Sequence, residues 1–468
     1  MLVLACILIF LLIVFLKKPL IWASVAGALC FCAGNISKIN LIDFDVLAIK
    51  SGVVCLEIGN IILGSVFFLE ILKLKGNLAS IRSSIEALKL NSYQICVLLC
   101  MFLCSFIEGT AGFGLPALVV APILFNQGFG ALASICLPLS MTCLSVVFGA
   151  VCSPIKIGLA GFDVQQVSHW SRFLIILPAL LMPVILAKIN PIKSENKTSI
   201  MLFSSLVYIV GIFIGYLLGI EFPVIIAGSL GLLACPFILK NNSLQLNHWK
   251  VFFKSLSPFF LFVIVFLMLK LSFSTLFYTI TYQNETIKKV NLVQSGLVFF
   301  VLGLAISFRN VHYLSIAGKI AFTKLQKVLP SIFCLVFFAF LLKNEMATAI
   351  SELFSQIPDY FIPFASCLAG VMGASITGSA TMSNILLGTA IQTNSSVFLA
   401  NNAFNLALLN IGGALGNAVS FQNMLVASTS LSEKIQTKDI LKINLKVVSV
   451  YILAVFISTL FLLYYLGL

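Results

Sequence analysis

The stretch 93–126, YQICVLLCMFLCSFIEGTAGFGLPALVVAPILFN, is apolar at both ends and broken in its middle by Glu108, Gly109, Gly112 and Gly114. About 20 apolar residues suffice to cross a hydrocarbon core of roughly 30 Å, so the run is too long for one simple span. Its polar centre predicts a re-entrant hairpin that dips into the membrane and returns to the same side. Irregular backbone at that depth is tolerated only where it faces protein or a water-filled cavity. The residues of the tip are therefore the first candidates for function.

A second stretch, 361–392, has the same form, with TGSATMSN over 377–384 as its tip. Each hairpin precedes an apolar run interrupted by glycine. The first is a broken helix over 129–160 containing GAVCSPIK (149–156), and the second a broken helix over 396–427 containing GNAVSFQN (416–423). Gly109 echoes Gly378 and Gly149 echoes Gly416, at offsets of 269 and 267 residues. Glycines also mark ordinary close helix contacts in membranes. Two echoes at nearly one offset favour an internal repeat. The expected topology brings the first hairpin in from the cytoplasm and the second from outside, so the repeats are inverted, which is the architecture of secondary transporters.

The rest of the chain agrees with a membrane reading. Of 468 residues, 60% are hydrophobic and 9% are charged, against roughly a quarter charged in soluble proteins. Further spans are expected near 2–16, 20–36, 46–72, 172–187, 199–219, 222–239, 255–273, 292–307, 328–342 and 447–466. The fold class is thus an all-α polytopic membrane protein with about twelve transmembrane helices plus two re-entrant hairpins. As one transporter unit it divides into a first repeat core (46–161), connecting and scaffold helices (162–312), a second repeat core (313–428), and an interfacial helix with the last span (429–468). Segments 76–91 and 432–446 read as interfacial helices. The first run has no basic residue before it and no cleavage box after it, so it is read as a span and not a cleaved signal.

Net charge is +13, which in a soluble chain would suggest nucleic acid. Here the basic residues lie between apolar runs and report topology. With both termini outside, twenty of the 28 Lys and Arg fall in cytoplasmic loops and seven outside, and Lys156 is left within the membrane. That asymmetry orients the chain by the positive-inside rule; the membrane is expected to be the plasma membrane, the inner membrane in a bacterium. The cysteines lie mostly in apolar runs and read as buried thiols. His169, His248 and His312 are too scattered for a metal, so neither metal nor cofactor is expected.

Glu108 is the most informative residue, because a carboxylate at membrane depth is costly and by default functional. It is the candidate proton carrier, with a structural carboxylate capping hairpin amides as the bland alternative. Gly109, Thr110, Gly112 and Gly114 let backbone amides turn inward toward an anion. Across from them Thr377, Gly378, Ser379, Thr381, Ser383 and Asn384 offer hydroxyls and an amide. Ser153 and Lys156 stand at the first helix break. Lys156 can bind a substrate carboxylate, pair with Glu108, or snorkel to the interface. Ser420, Gln422 and Asn423 complete the polar lining, and Glu57 is a weaker candidate that a packing partner would neutralise.

At these motifs the sequence resembles the bacterial L-lactate permease family. EGTAGFGLP (108–116) is similar to that family's E-G-A-A-G-F-G-T-P, ITGSATMSN (376–384) to I-T-G-S-D-T-S-S-N, and Ser420-Phe-Gln422 stands where the family has S-P-Q. The resemblance implies a carrier of lactate, glycolate and related 2-hydroxymonocarboxylates, with protons, on a transport domain that moves against a scaffold. Ala380 and Met382 depart from the second box, which removes one acid and one hydroxyl. The expected function is proton-coupled symport of such an anion across the plasma membrane, in partnership with the lipid bilayer; a homodimer stays open. A di- or tricarboxylate permease of the same architecture is the alternative, although Lys156 alone is little positive charge for two carboxylates. An enzyme would need a metal or nucleophile constellation, and the sequence has no HExxH and no clustered histidines.

Overall fold

The computed structural model describes residues 20–34, 41–112, 114–189, 197–239, 246–273, 275–282, 285–394, 402–433 and 435–465. The expected span at 2–16, residues 396–401 of the second broken helix, and Lys17, Lys18, Lys38, Lys193, Lys240 and Lys434 lie outside them. The described chain is almost wholly α-helical. A helix satisfies every backbone N–H and C=O internally, and among spanning structures only it and a closed barrel do so. Among the described residues eight helices are long and apolar enough to cross a membrane, or nine if the pair Val164–Leu174 and Ile176–Ile189, bent by 47°, counts as one span. Shorter apolar helices complete the bundle. The protein is a multi-pass, all-α membrane protein.

The chain forms two compact units. One comprises residues up to Ala79 together with Ser255–Met346; the other comprises Ser80–Lys254 and Ala347–Leu468. In the first unit, helix Leu41–Leu74 packs on helix Ser295–Ser307. Glycine makes the approach possible: a Cβ on Gly64 would fall on the backbone of Gly296, and one on Gly296 would strike the carbonyl of Asn60. Beyond that crossing the aromatic rings take over, with Phe262 stacked on Phe299 at 3.6 Å between centroids and Phe68 edge-on to Phe259 at 5.4 Å. Segment 277–291, expected as an outside loop, is an antiparallel β-hairpin of Phe277–Tyr282 and Glu285–Asn291. Its Lys288 forms an ion pair with Glu57. Glu57 therefore has the neutralising partner that its structural reading required.

The second unit holds both hairpins. Helix Ser92–Thr110 starts on a reciprocal cap, Asn91 Oδ1 accepting from the Gln94 amide at 2.9 Å and Gln94 Oε1 from the Asn91 amide at 3.0 Å. It contains a π-helical stretch over Val97–Leu103, and helix Leu115–Asn126 returns from the tip. The second hairpin is Ile362–Thr377 and Ala380–Asn394. Helix Ile362–Thr377 lies against Asn402–Asn417 through a seam of small residues. A Cβ on Gly412 would fall on the carbonyl of Cys367, one on Gly370 on that of Leu409, and one on Gly416 on that of Val371. Such small-residue seams let helices approach to backbone contact where no hydrophobic force from water drives them together.

Several boundaries differ from the sequence reading. One helix runs Thr437–Tyr465 where an interfacial helix and a separate span were expected; no Gly or Pro interrupts it, so nothing breaks the backbone ladder. Helix Val311–Ser355 likewise extends well beyond the apolar window 328–342. The helix over Asn77–Ala87 lies within the segment read as interfacial.

Replacing Gly412 with Val is expected to force the second hairpin from its seam and to cost about 1–3 kcal/mol, as overpacking of a tight contact does. A lower thermal unfolding midpoint in detergent is the readout, with Gly318→Val as the control, since a Cβ there meets nothing within 4 Å.

Candidate functional site

The hairpin tips are turned by glycine because the backbone there enters the left-handed region. Gly112 has φ +65° and Gly114 +73°, and Gly378 at the second tip has φ +73°. Each tip rests on the break of the helix that follows it in the chain. A Cβ on Gly112 would strike Ala150, and one on Gly378 would strike the side chain of Gln422. Phe113, between the two glycines of the first tip, lies outside the described residues.

The first broken helix runs over Ala131–Ser145, a 3-10 turn at Val146–Phe148, and Gly149–Lys156. Within the break Ala150, Val151 and Cys152 all have positive φ, +46°, +56° and +62°. For residues with a Cβ this conformation costs roughly 1–2 kcal/mol each. Amides from the second repeat hold it in place. Asn384 Nδ2 donates to the Pro154 carbonyl at 2.9 Å and to Asn410 Oδ1 at 2.8 Å, and Asn410 Nδ2 donates to the Val147 carbonyl at 3.2 Å. The relay supplies the carbonyls of the break with partners where water is scarce.

The second broken helix is Asn402–Asn417 and Phe421–Ser428, with Ser420 capping the second half: its Oγ accepts from the Asn423 amide at 3.4 Å. Asn423 Nδ2 donates to the carbonyls of Gly378 at 3.2 Å and Asn417 at 3.0 Å, and to Asn417 Oδ1 at 2.6 Å. Asn444 Nδ2 closes the Ala418 carbonyl at 2.8 Å, and Ser140 donates to Asn444 Oδ1 at 3.1 Å.

Glu108 is buried beside the first break. A Cβ on Gly149 would stand 2.9 Å from its Oε1, so the glycine lets the carboxyl lie directly against the first break. The same carboxyl lines a narrow cavity with Gly114, Pro116 and Ala117 from the first hairpin and Leu139, Thr142, Cys143 and Val146 from the first broken helix. Asn417, Ala418 and Asn423 from the second break close it. Elements of both repeats thus meet at one carboxyl, and no basic side chain lines the cavity among the described residues.

Of the residues singled out from sequence, Glu108, Gly114 and Asn423 line this cavity, with Gly378, Ser420 and Gln422 adjoining through Asn423 and the second tip. The others have different surroundings. Gly109 packs on Ile225. Thr110 donates to the carbonyls of Phe106 and Ile107, and Thr377 to those of Gly373 and Ser379. Ser379 Oγ accepts from the Met382 amide, and Ser383 donates to the Gly370 carbonyl. Thr381 and Asn384 approach Gly158 beside the first break, where Ser153 is buried. Lys156 is paired with Glu221 at 2.8 Å and not with Glu108, because the helix after the break carries it toward the N-terminal end of helix Pro223–Ile238. Thr142, Asn410, Asn417 and Glu221 escaped the sequence reading. The signal for Asn410 and Asn417 was two amides seven apart in a glycine-rich apolar helix. Ala380, the departure from the second box, faces Gly413 so closely that a Cβ on that glycine would be 3.4 Å away.

Paired helical hairpins and broken helices meeting at a polar centre define a permease-type membrane transporter. The L-lactate permease profile matches residues 2–293 and 250–466, and the chain belongs to that family. A Haemophilus influenzae homologue is 24% identical over 504 residues, covering 93% of each chain. The L-lactate permease of Halalkalibacterium halodurans is 26% identical, over 83% of this chain and 82% of its own. That of Salmonella typhimurium is 25% identical, over 82% and 81%. Among solved structures, the Alcanivorax borkumensis YdaH transporter is similar at 12% identity and a TM-score of 0.44, over 87% of this chain and 85% of that one.

Asn410→Ala is expected to lower stability by about 1–2 kcal/mol, since it strands the Val147 carbonyl and one Asn384 donor; thermal unfolding in detergent measures it. For the ion pair, Lys156→Met leaves the Glu221 carboxylate with no partnering Lys156, and should destabilise more than the double variant Lys156→Met/Glu221→Gln. A double-mutant cycle on the unfolding midpoint tests that ordering.

Proposed function

We propose that the chain carries L-lactate or a similar 2-hydroxymonocarboxylate together with a proton, and that the Glu108 cavity is the site where both bind. The observation that carries this reading is a buried carboxyl in a cavity built by both repeats, largely apolar, with Thr142, Asn417 and Asn423 as its other polar side chains and no cation among the described residues. Two anions in a water-poor site repel strongly. A substrate carboxylate therefore enters only when Glu108 holds a proton, and its departure accompanies the loss of that proton. Thr142, Asn417 and Asn423 are the polar side chains that would face a carboxylate and a 2-hydroxyl; the cavity, at about 20 Å³, has room for about one water, so it must widen to admit the solute. A di- or tricarboxylate would need more positive charge than the lining offers, and Lys156 is committed to Glu221. The names of the relatives support lactate as the substrate; the proton is inferred from Glu108. The basic asymmetry of the loops supports both termini outside, in the plasma membrane of a bacterium.

In proteoliposomes with an imposed pH gradient, labelled L-lactate is expected to accumulate above equilibrium and to lose that accumulation with a protonophore. Glu108→Gln should reduce gradient-driven uptake at least tenfold. Accumulation in the variant equal to that of the parent protein would overturn the role of Glu108, and failure of well-folded, correctly inserted parent protein to move lactate or glycolate would overturn the substrate.

A further inference from the structure

The first unit carries a second built feature, remote in character from the transport site. At the end of helix Leu41–Leu74 stand Lys73 and Lys75, Arg309 follows helix Ser295–Ser307, and Lys319, Lys324 and Lys327 lie on helix Val311–Ser355. Lys75 Nζ donates to the Ile306 carbonyl at 2.9 Å, which ties the first two of these helices together at their basic ends. Lys319, Ile320, Thr323, Lys324 and Lys327 line a cavity of about 370 Å³. Their spacing of four, five and eight residues from Lys319 places them on one face of the helix.

Among the described residues no carboxylate forms an ion pair with Lys319, Lys324 or Lys327. Glu70 is the acid whose field reaches Lys324, and its printed partner is Lys73 at 3.7 Å. The same end of the unit exposes large apolar side chains: Phe308, Val311, Ile320 and Phe322. A cationic cavity bordered by exposed apolar groups on a membrane-spanning helix matches a molecule with an anionic head and apolar tails.

We propose that this cavity binds the headgroup phosphate of an anionic phospholipid, with Lys319, Lys324 and Lys327 as its cations, Thr323 as a hydroxyl donor, and the acyl chains lying along Ile320 and Phe322. A lysine ammonium is a compact point charge with three donors and serves phosphate well in this setting. Basic pockets on the cytoplasmic side of membrane proteins hold anionic headgroups on the same physical ground.

Native mass spectrometry of the full-length protein in detergent tests this, with phosphatidylglycerol or phosphatidylcholine added. Phosphatidylglycerol should be retained in preference to phosphatidylcholine. Lys319→Gln/Lys324→Gln/Lys327→Gln should lower its retention by about fivefold per lysine removed, and the corresponding Arg triple variant should restore it. Lys438→Gln/Lys442→Gln/Lys446→Gln, an equal loss of charge on exposed positions elsewhere, should leave it unchanged. If the Gln triple variant does not fold, Lys327→Glu on its exposed position should still weaken retention. Equal retention of the two lipids, or no effect of Lys327→Glu, would overturn the proposal. Displacement of phosphatidylglycerol by millimolar inorganic phosphate would overturn the lipid as ligand and leave a site for free phosphate.

Discussion

A peptide carbonyl deep in a bilayer has no water to turn to, and the second unit is organised around that fact. Where the first broken helix leaves its ladder over Val146–Cys152, Asn384 and Asn410 reach across from the other repeat to take the carbonyls of Pro154 and Val147. Where the second leaves its own at Asn417–Ser420, Asn423 and Asn444 donate to the carbonyls of Asn417 and Ala418, and Ser420 Oγ accepts from the Asn423 amide. The strained left-handed run Ala150–Cys152 persists because the surrounding amides and packing over-determine it. The price of broken helices is met by pairing the repeats.

Glycine sets how close the helices come. At Gly412, Gly370 and Gly416 the seam brings the second hairpin and the second broken helix together backbone against backbone, and at Gly149 the absence of a side chain lets the Glu108 carboxyl lie against the first break. Glu108 thus sits at a junction of the first hairpin, the first break and the second break.

The charged side chains divide into groups held by partners and groups left to act. Glu57 is matched by Lys288 of the β-hairpin, and Lys156 by Glu221. Among the described residues Glu108 has neither a lysine nor an arginine in its cavity. A carboxyl so placed is suited to exchange a proton, whereas a carboxylate locked to a cation is suited to hold two elements together.

Much of this was legible in the residues themselves. The apolar excess and its periodic interruption determined an all-helical membrane protein, the glycines after Glu108 and around Gly378 located both hairpin tips, and the motif resemblance pointed to the family. These are local properties, written in runs of neighbouring side chains. Pairings between distant residues were not: Lys156 had a substrate carboxylate, Glu108 or the membrane interface open to it from sequence and found Glu221, 65 positions on. Asn410 and Asn417 looked like ordinary polar residues in a helix until the break of the other repeat came within reach. The β-hairpin at 277–291 stands outside the apolar runs that mark the spans, although the aromatic and β-branched residues of Phe277–Tyr282 suit a strand. The sequence by itself determined which segments enter the membrane and where they break, through hydropathy and glycine. Only the tertiary structure decided which polar group answers each broken carbonyl and each charge, because hydrogen bonds and ion pairs depend on distances of about 3 Å between residues that the chain keeps hundreds of positions apart.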